Sequence, residues 1–183
     1  IKDELLDHID VKPGNIYAPD GFMPKDDILN FCLQYEEKIA EVGGIDYLLM
    51  GVGHTSNIMF NAAGTPISSR TRLVLLEGAA RKEASRTFPS VESVPAGVIT
   101  MGISNMMNAH NVILMAWGED KAGIIAKTVE GKESDLVPSS SLQNHQGARV
   151  VIDLSAAYDL TRISHPWLVT SCEWDKKLIR RAI

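Results

Sequence analysis

Short apolar runs, several of them ended by a glycine, alternate along this chain with stretches of helical periodicity. No other feature constrains its fold as strongly. Ile45 to Gly51 (IDYLLMG), Arg72 to Leu76, Val98 to Gly102, Asn111 to Ala116 (NVILMA) and Ala148 to Leu154 (ARVVIDL) have the length and composition of strands, the first of them buried. Between Lys25 and Val42, residues Ile28, Phe31, Cys32, Tyr35 and Ile39 fall at helical spacing, with Pro24 ahead and Gly43-Gly44 as the stop. Further helices are predicted over Gly78 to Arg86, in the ISNMMNAH stretch after Gly102, over Lys121 to Val129 and over Ser155 to Leu160. Such alternation predicts an α/β fold whose mainly parallel sheet is covered on both faces. Ligands of such sheets bind beyond the carboxyl ends of the strands. The loops beginning at Gly51, near Gly102 and at Gly118 are therefore the first places to look for a site.

Composition narrows the partners. A net charge of −5 over 183 residues leaves no basic footprint for nucleic acid, and no basic helix suggests a membrane surface. The longest uncharged apolar run, near Asn111 to Gly118, is too short to span a bilayer. Cys32 and Cys172 lack metal-ligand spacing and read as free core thiols in a reducing compartment, with the cytoplasm as the expected location. Gly131 to Gly147 is polar and serine-rich and reads as a long surface connection, and the basic tail Asp175 to Ile183 as a solvated terminal helix. His8, His110 and His165 have no metal-like spacing, so no metal site is expected; Met106, Met107 and Met115 read as core filling.

The loop after the first strand reads GVGHTSNIMFNAAGT, Gly51 to Thr65. Glycines at 51 and 53 let backbone turn tightly and approach a ligand, a common pattern by itself. SSRTRLV (from Ser68), EASRTF (from Glu83), VPAGVITMGISNMMNA (from Val94), LMAWGEDKAGIIAKTVEG (from Leu114) and VPSSSLQNHQ (from Val137) follow in order. Together these segments resemble the glucosamine-6-phosphate deaminase/isomerase family over nearly the whole chain. The resemblance implies a three-layer, Rossmann-like α/β fold of the sugar-phosphate isomerase type, and assembly into homo-oligomers. It also implies a reaction in which glucosamine 6-phosphate becomes fructose 6-phosphate and ammonia, with no cofactor. It begins inside the family's domain, so a strand, a glycine-serine-threonine phosphate loop and the aspartate base are expected in a segment before Ile1. By the same resemblance Arg86 and Lys121 hold the substrate phosphate, chemistry that suits a guanidinium fork paired with a point charge. Arg72 matches a position that some relatives use for an effector, but the companion lysine is Val74 here, so regulation is not expected.

The same alignment of residues shows where the chain departs. Family members read Gly-x-Asp-Gly-His-Ile-x-Phe-Asn-Glu-Pro, so Thr55 stands for the aspartate, Asn57 for the histidine and Ala62 for the glutamate. Asn57 only hydrogen-bonds and Ala62 does neither acid–base nor hydrogen-bond chemistry, so impaired catalysis is expected. His54, three residues early, reads as a surface or loop-stabilising group, and His145 as a loop stabiliser. HPWLVTSCEWDKKLIRR, from His165, resembles a linker to a further, de-N-acetylase-like domain, which divides the chain into residues 1–164 and a helical tail 165–183. Three readings stay open: an enzyme of altered mechanism, a non-catalytic sugar-phosphate binder, and a structural module of a larger protein.

Overall fold

The computed structural model describes residues 1–76 and 78–182, apart from the side chains of Ala79 and Glu83. After an irregular N-terminal stretch, a 3-10 turn at Lys25–Asp27 runs into helix α1, Ile28–Glu41. It stops where expected, with the Gly44 amide closing on the Ile39 carbonyl at 2.8 Å. Strand β1 (Tyr47–Gly51) and the loop of interest follow, then β2 (Arg72–Leu75), helix α2 (Gly78–Ala84) and β3 (Gly97–Thr100). Helix α3 (Ile103–Met107), β4 (Asn111–Ala116), α4 (Ala122–Val129), β5 (Ala148–Ile152), the single turn α5 (Thr161–Ser164) and α6 (Lys176–Ala182) complete the chain. The expected tail helix includes Ile183, which lies outside the described residues.

β1, β4 and β5 form a parallel sheet in the order β1-β4-β5, with Gly51 opposite Met115 and Ala116 opposite Ile152. β2 and β3 pair antiparallel as a separate ribbon, Arg72 against Thr100. One face of the parallel sheet carries the core. Leu48 and Met50 of β1 and Val112, Leu114 and Ala116 of β4 pack with Ile103, Met106 and Ile125 of the helices. Burying each large aliphatic side chain stabilises the fold by about 1.5–3 kcal/mol. The opposite face is open. Tyr47 is 66% and Leu49 61% exposed, so the expectation of a wholly buried first strand is corrected: its pattern is that of a strand covered on one side.

Two further expectations change. The serine-rich connection is a surface segment only at its ends, because in its middle Pro138–Asn144 forms a 3-10 helix with Pro138, Ser139, Ser140, Ser141 and Leu142 buried. The hydroxyls find partners inside: Ser139 Oγ lies 2.6 Å from Thr128 Oγ1, and Ser140 Oγ donates to the Val137 carbonyl at 2.7 Å. Ser155 to Leu160 is a run of turns instead of a helix: its amides close on carbonyls three residues back, Tyr158 on Ser155 at 3.3 Å and Leu160 on Ala157 at 3.0 Å. Cys32 is buried, and burial, helped by the Glu36 charge, raises its thiol pKa. Cys172 is only partly buried and not a core thiol. Among the described residues, no helix is long and apolar enough to cross a membrane, and no His/Cys/Asp/Glu group has the arrangement of a metal site.

Candidate functional site

Three loops leave the carboxyl ends of β1, β4 and β5, and the first carries most of the residues in question. The Gly53 amide donates to the Asn57 carbonyl at 2.8 Å and the Ser56 amide to the Gly53 carbonyl at 3.1 Å, closing a tight loop. The Asn57 side chain folds back over Gly53, where a Cβ would stand 1.6 Å from Asn57 Oδ1. Any larger residue at 53 displaces that amide. Thr55 Oγ1 donates to Asn57 Oδ1 at 3.3 Å, which fixes the amide from the other side.

The next turn is strained. Ile58 to Asn61 closes through the Asn61 amide on the Ile58 carbonyl at 2.8 Å, with Met59 at φ 47° and Phe60 at φ 58°. Two consecutive left-handed non-glycine residues cost about 1–3 kcal/mol each. The surroundings impose them. Asn61, fully buried, donates from Nδ2 to the carbonyls of Ile58 and Met101 (3.0 Å each), and Thr100 Oγ1 donates to the Met59 carbonyl at 2.7 Å. Arg72 Nη2 donates to Asn61 Oδ1 at 2.9 Å, and burial pulls its guanidinium pKa below the ordinary value. Arg72 is thus engaged in holding the site loop. Sequence reasoning missed this turn; the asparagine in the Ile-x-Phe-Asn frame was the available signal.

An open cleft of about 380 Å³ lies against this loop, lined among others by Gly51, Gly53, Asn57, Met59, Thr87 and Phe88. The structure therefore brings together the predicted Gly51, Gly53 and Asn57 and sets them against the end of α2. Arg86 lies on the adjoining 3-10 turn Ser85–Thr87, exposed and beside the described lining. Thr55 is exposed behind Asn57. Ala62 is exposed too, its carbonyl accepting from the Thr65 amide at 3.0 Å, and is outside the described lining. Lys121 ends the 3-10 turn Glu119–Lys121 after β4, half-buried, so it emerges from the strand beside β1 at the same end of the sheet. Its neighbour Asp120 joins the two loops: Asp120 Oδ2 lies 3.4 Å from His54 Nε2. His145 accepts from the Gly147 amide at 3.0 Å and reaches the Ala109 carbonyl at 2.8 Å, a loop-stabilising arrangement.

The family described as glucosamine-6-phosphate isomerases/6-phosphogluconolactonase matches residues 1–152. A glucosamine-6-phosphate deaminase-like protein of Bacteroides thetaiotaomicron is 52% identical over 183 residues, all of this chain and 28% of that protein. The glucosamine-6-phosphate deaminase of Corynebacterium urealyticum is 40% identical over 160 residues, covering 87% of this chain and 62% of its own length. The solved structure of a monomeric glucosamine-6-phosphate deaminase superposes with a TM-score of 0.82 at 36% identity, over 86% of this chain and 65% of its own. The chain thus spans less than two thirds of each of these relatives.

Proposed function

The chain belongs to the glucosamine-6-phosphate isomerase/6-phosphogluconolactonase family, and on that premise we propose that it binds an amino-sugar phosphate and is impaired in the deaminase reaction. The observation that carries this reading is the Thr55–Asn57 pair beside the cleft. A hydroxyl bonded to a carboxamide holds a ligand but relays no proton near neutral pH, unlike an imidazole backed by carboxylates. Phosphate is held by Arg86 and Lys121. Both come from turns bordering the loop ends, and a guanidinium with an ammonium matches a phosphate dianion. Residues 1–164 form this domain and 165–183 a link to a further one. On the expectation from its two free thiols the protein works in the cytoplasm, and on that from the family resemblance as a homo-oligomer.

Calorimetry on the full-length protein tests the reading. Glucosamine 6-phosphate binds, and Lys121→Ala weakens it by about ten- to a hundredfold, the loss of one charge-assisted hydrogen bond of roughly 1.5–3 kcal/mol. Unchanged affinity removes Lys121 from the site. One observation favours the alternative of an enzyme with altered mechanism: the His54–Asp120 pair sets a carboxylate against an imidazole at the same end of the sheet. Ammonia release by the full-length protein at ordinary enzymatic rates, lost in His54→Gln, supports that alternative.

A further inference from the structure

We propose that the cleft beside Asn57 is built for a sugar phosphate whose nitrogen is acylated, an N-acylamino-sugar phosphate, in preference to one with a free amine. This rests on the sugar-phosphate reading above and specifies its ligand. Asn57, which lines the cleft, uses its carbonyl oxygen for the Thr55 hydroxyl, and its two Nδ2 protons remain as donors for a ligand. Thr87, also in the lining, spends its hydroxyl proton on the Ala84 carbonyl at 3.0 Å, so toward a ligand its hydroxyl is left to accept. One carboxamide donor and one hydroxyl acceptor are the complement of a secondary amide, which offers one carbonyl and one N–H.

Between these groups the wall is apolar. Met59, Phe60, Ala84 and Phe88 line the cleft and suit an acyl methyl group. A free amine is an ammonium near neutral pH, with three donors and no acceptor. Placed here it confronts the Asn57 donors and, among the described lining residues, meets no carboxylate. Desolvating a charge without a counter-charge opposes binding, whereas the amide keeps both its hydrogen bonds. The residue that replaces an imidazole with a carboxamide thereby changes which nitrogen the site accepts.

The experiment is titration calorimetry of the full-length protein with N-acetylglucosamine 6-phosphate, glucosamine 6-phosphate and glucose 6-phosphate. The N-acetyl compound is expected to bind at least about tenfold more tightly than the free amine, about 1.4 kcal/mol. Asn57→Ala and Thr87→Val narrow that gap, and Ala84→Asp, which adds a carboxylate to the wall, reverses it. The side chain of Glu83 lies outside the described residues, so the comparison is repeated in Glu83→Gln, with the same preference expected. Equal or tighter binding of glucosamine 6-phosphate overturns the acyl preference and leaves the sugar-phosphate reading standing. Binding of none of the three overturns both.

Discussion

At the scale of single residues, the loop from Gly53 to Asn61 shows how substitutions act as a set. Thr55 donates to the Asn57 carboxamide oxygen, and Gly53 provides the space in which the Asn57 amide lies. Exchanging Asn57 for histidine alone puts an imidazole above Gly53 with a hydroxyl at 55 and a methyl at 62. Neither supplies the negative charge that stabilises its protonated form. We therefore expect Asn57→His in the full-length protein to leave glucosamine 6-phosphate deamination within about tenfold of background. General acid–base help is worth about 10²–10⁴ in rate and acts through the whole constellation. Thr55→Asp, Asn57→His and Ala62→Glu together are the minimum that restores measurable ammonia release. A single substitution that restores it fully would show that the carboxylate positions are dispensable. The residue types of this site were legible in the sequence: the glycines, the substituted trio and the asparagine of the Ile-x-Phe-Asn frame. The left-handed pair Met59-Phe60 was not, because neither residue favours that conformation. It is imposed by Asn61 and Thr100, the latter some forty positions away.

Elements were legible where periodicity spoke and misleading where polarity stood in for exposure. The limits of α1 and β4 follow from spacing and stop residues. The serine-rich run after Gly131 misled because serine hydroxyls can be satisfied inside a fold, as Ser139, Ser140 and Ser141 are. Contacts between elements carry no sequence signature of their own, and Glu36 is the plainest case. Its carboxylate, 10% exposed on α1, accepts from the Thr71 amide (2.7 Å) before β2, Asn105 Nδ2 (2.8 Å) on α3 and Arg70 Nη2 (2.9 Å). Burial works to raise its pKa, but the donors of Thr71, Asn105 and Arg70 outweigh it and hold the group at about 2. A carboxylate lowered in the folded state contributes stability that is fully present above its unfolded pKa and lost as pH falls toward the folded one. Glu36→Gln should cost roughly 1–3 kcal/mol near pH 7, with the exposed Arg70 bond contributing least. That difference should shrink as pH falls from about 4.5 to about 2. Denaturant unfolding of both proteins across this range measures it, and a constant difference would show that packing, not charge, ties α1 to β2 and α3.

At the scale of the whole chain, the governing observation is a parallel sheet of which the described residues cover only one face. Sheets of this kind bury both faces, since their strands are apolar on both. Here Tyr47 and Leu49 of β1 and Val151 of β5, 48% exposed, stand on the open side across β4. Hydrophobic side chains gathered on one exposed surface promote association and bind apolar dyes. The 183 residues produced alone should therefore bind such a dye and self-associate at micromolar concentration, and Leu49→Lys with Val151→Lys should suppress both. The same substitutions discriminate between a face left open and a face covered in the working protein. In the isolated chain each should change unfolding free energy by less than about 0.5 kcal/mol, as exposed positions do. In a longer polypeptide whose additional residues lie on this face, each buries a charge and should cost about 2–4 kcal/mol. Relatives that this chain spans by less than two thirds contain residues enough to provide such a cover. Equal, small effects in the short and the long protein would show that the face stays bare, and that the sheet is held from one side alone.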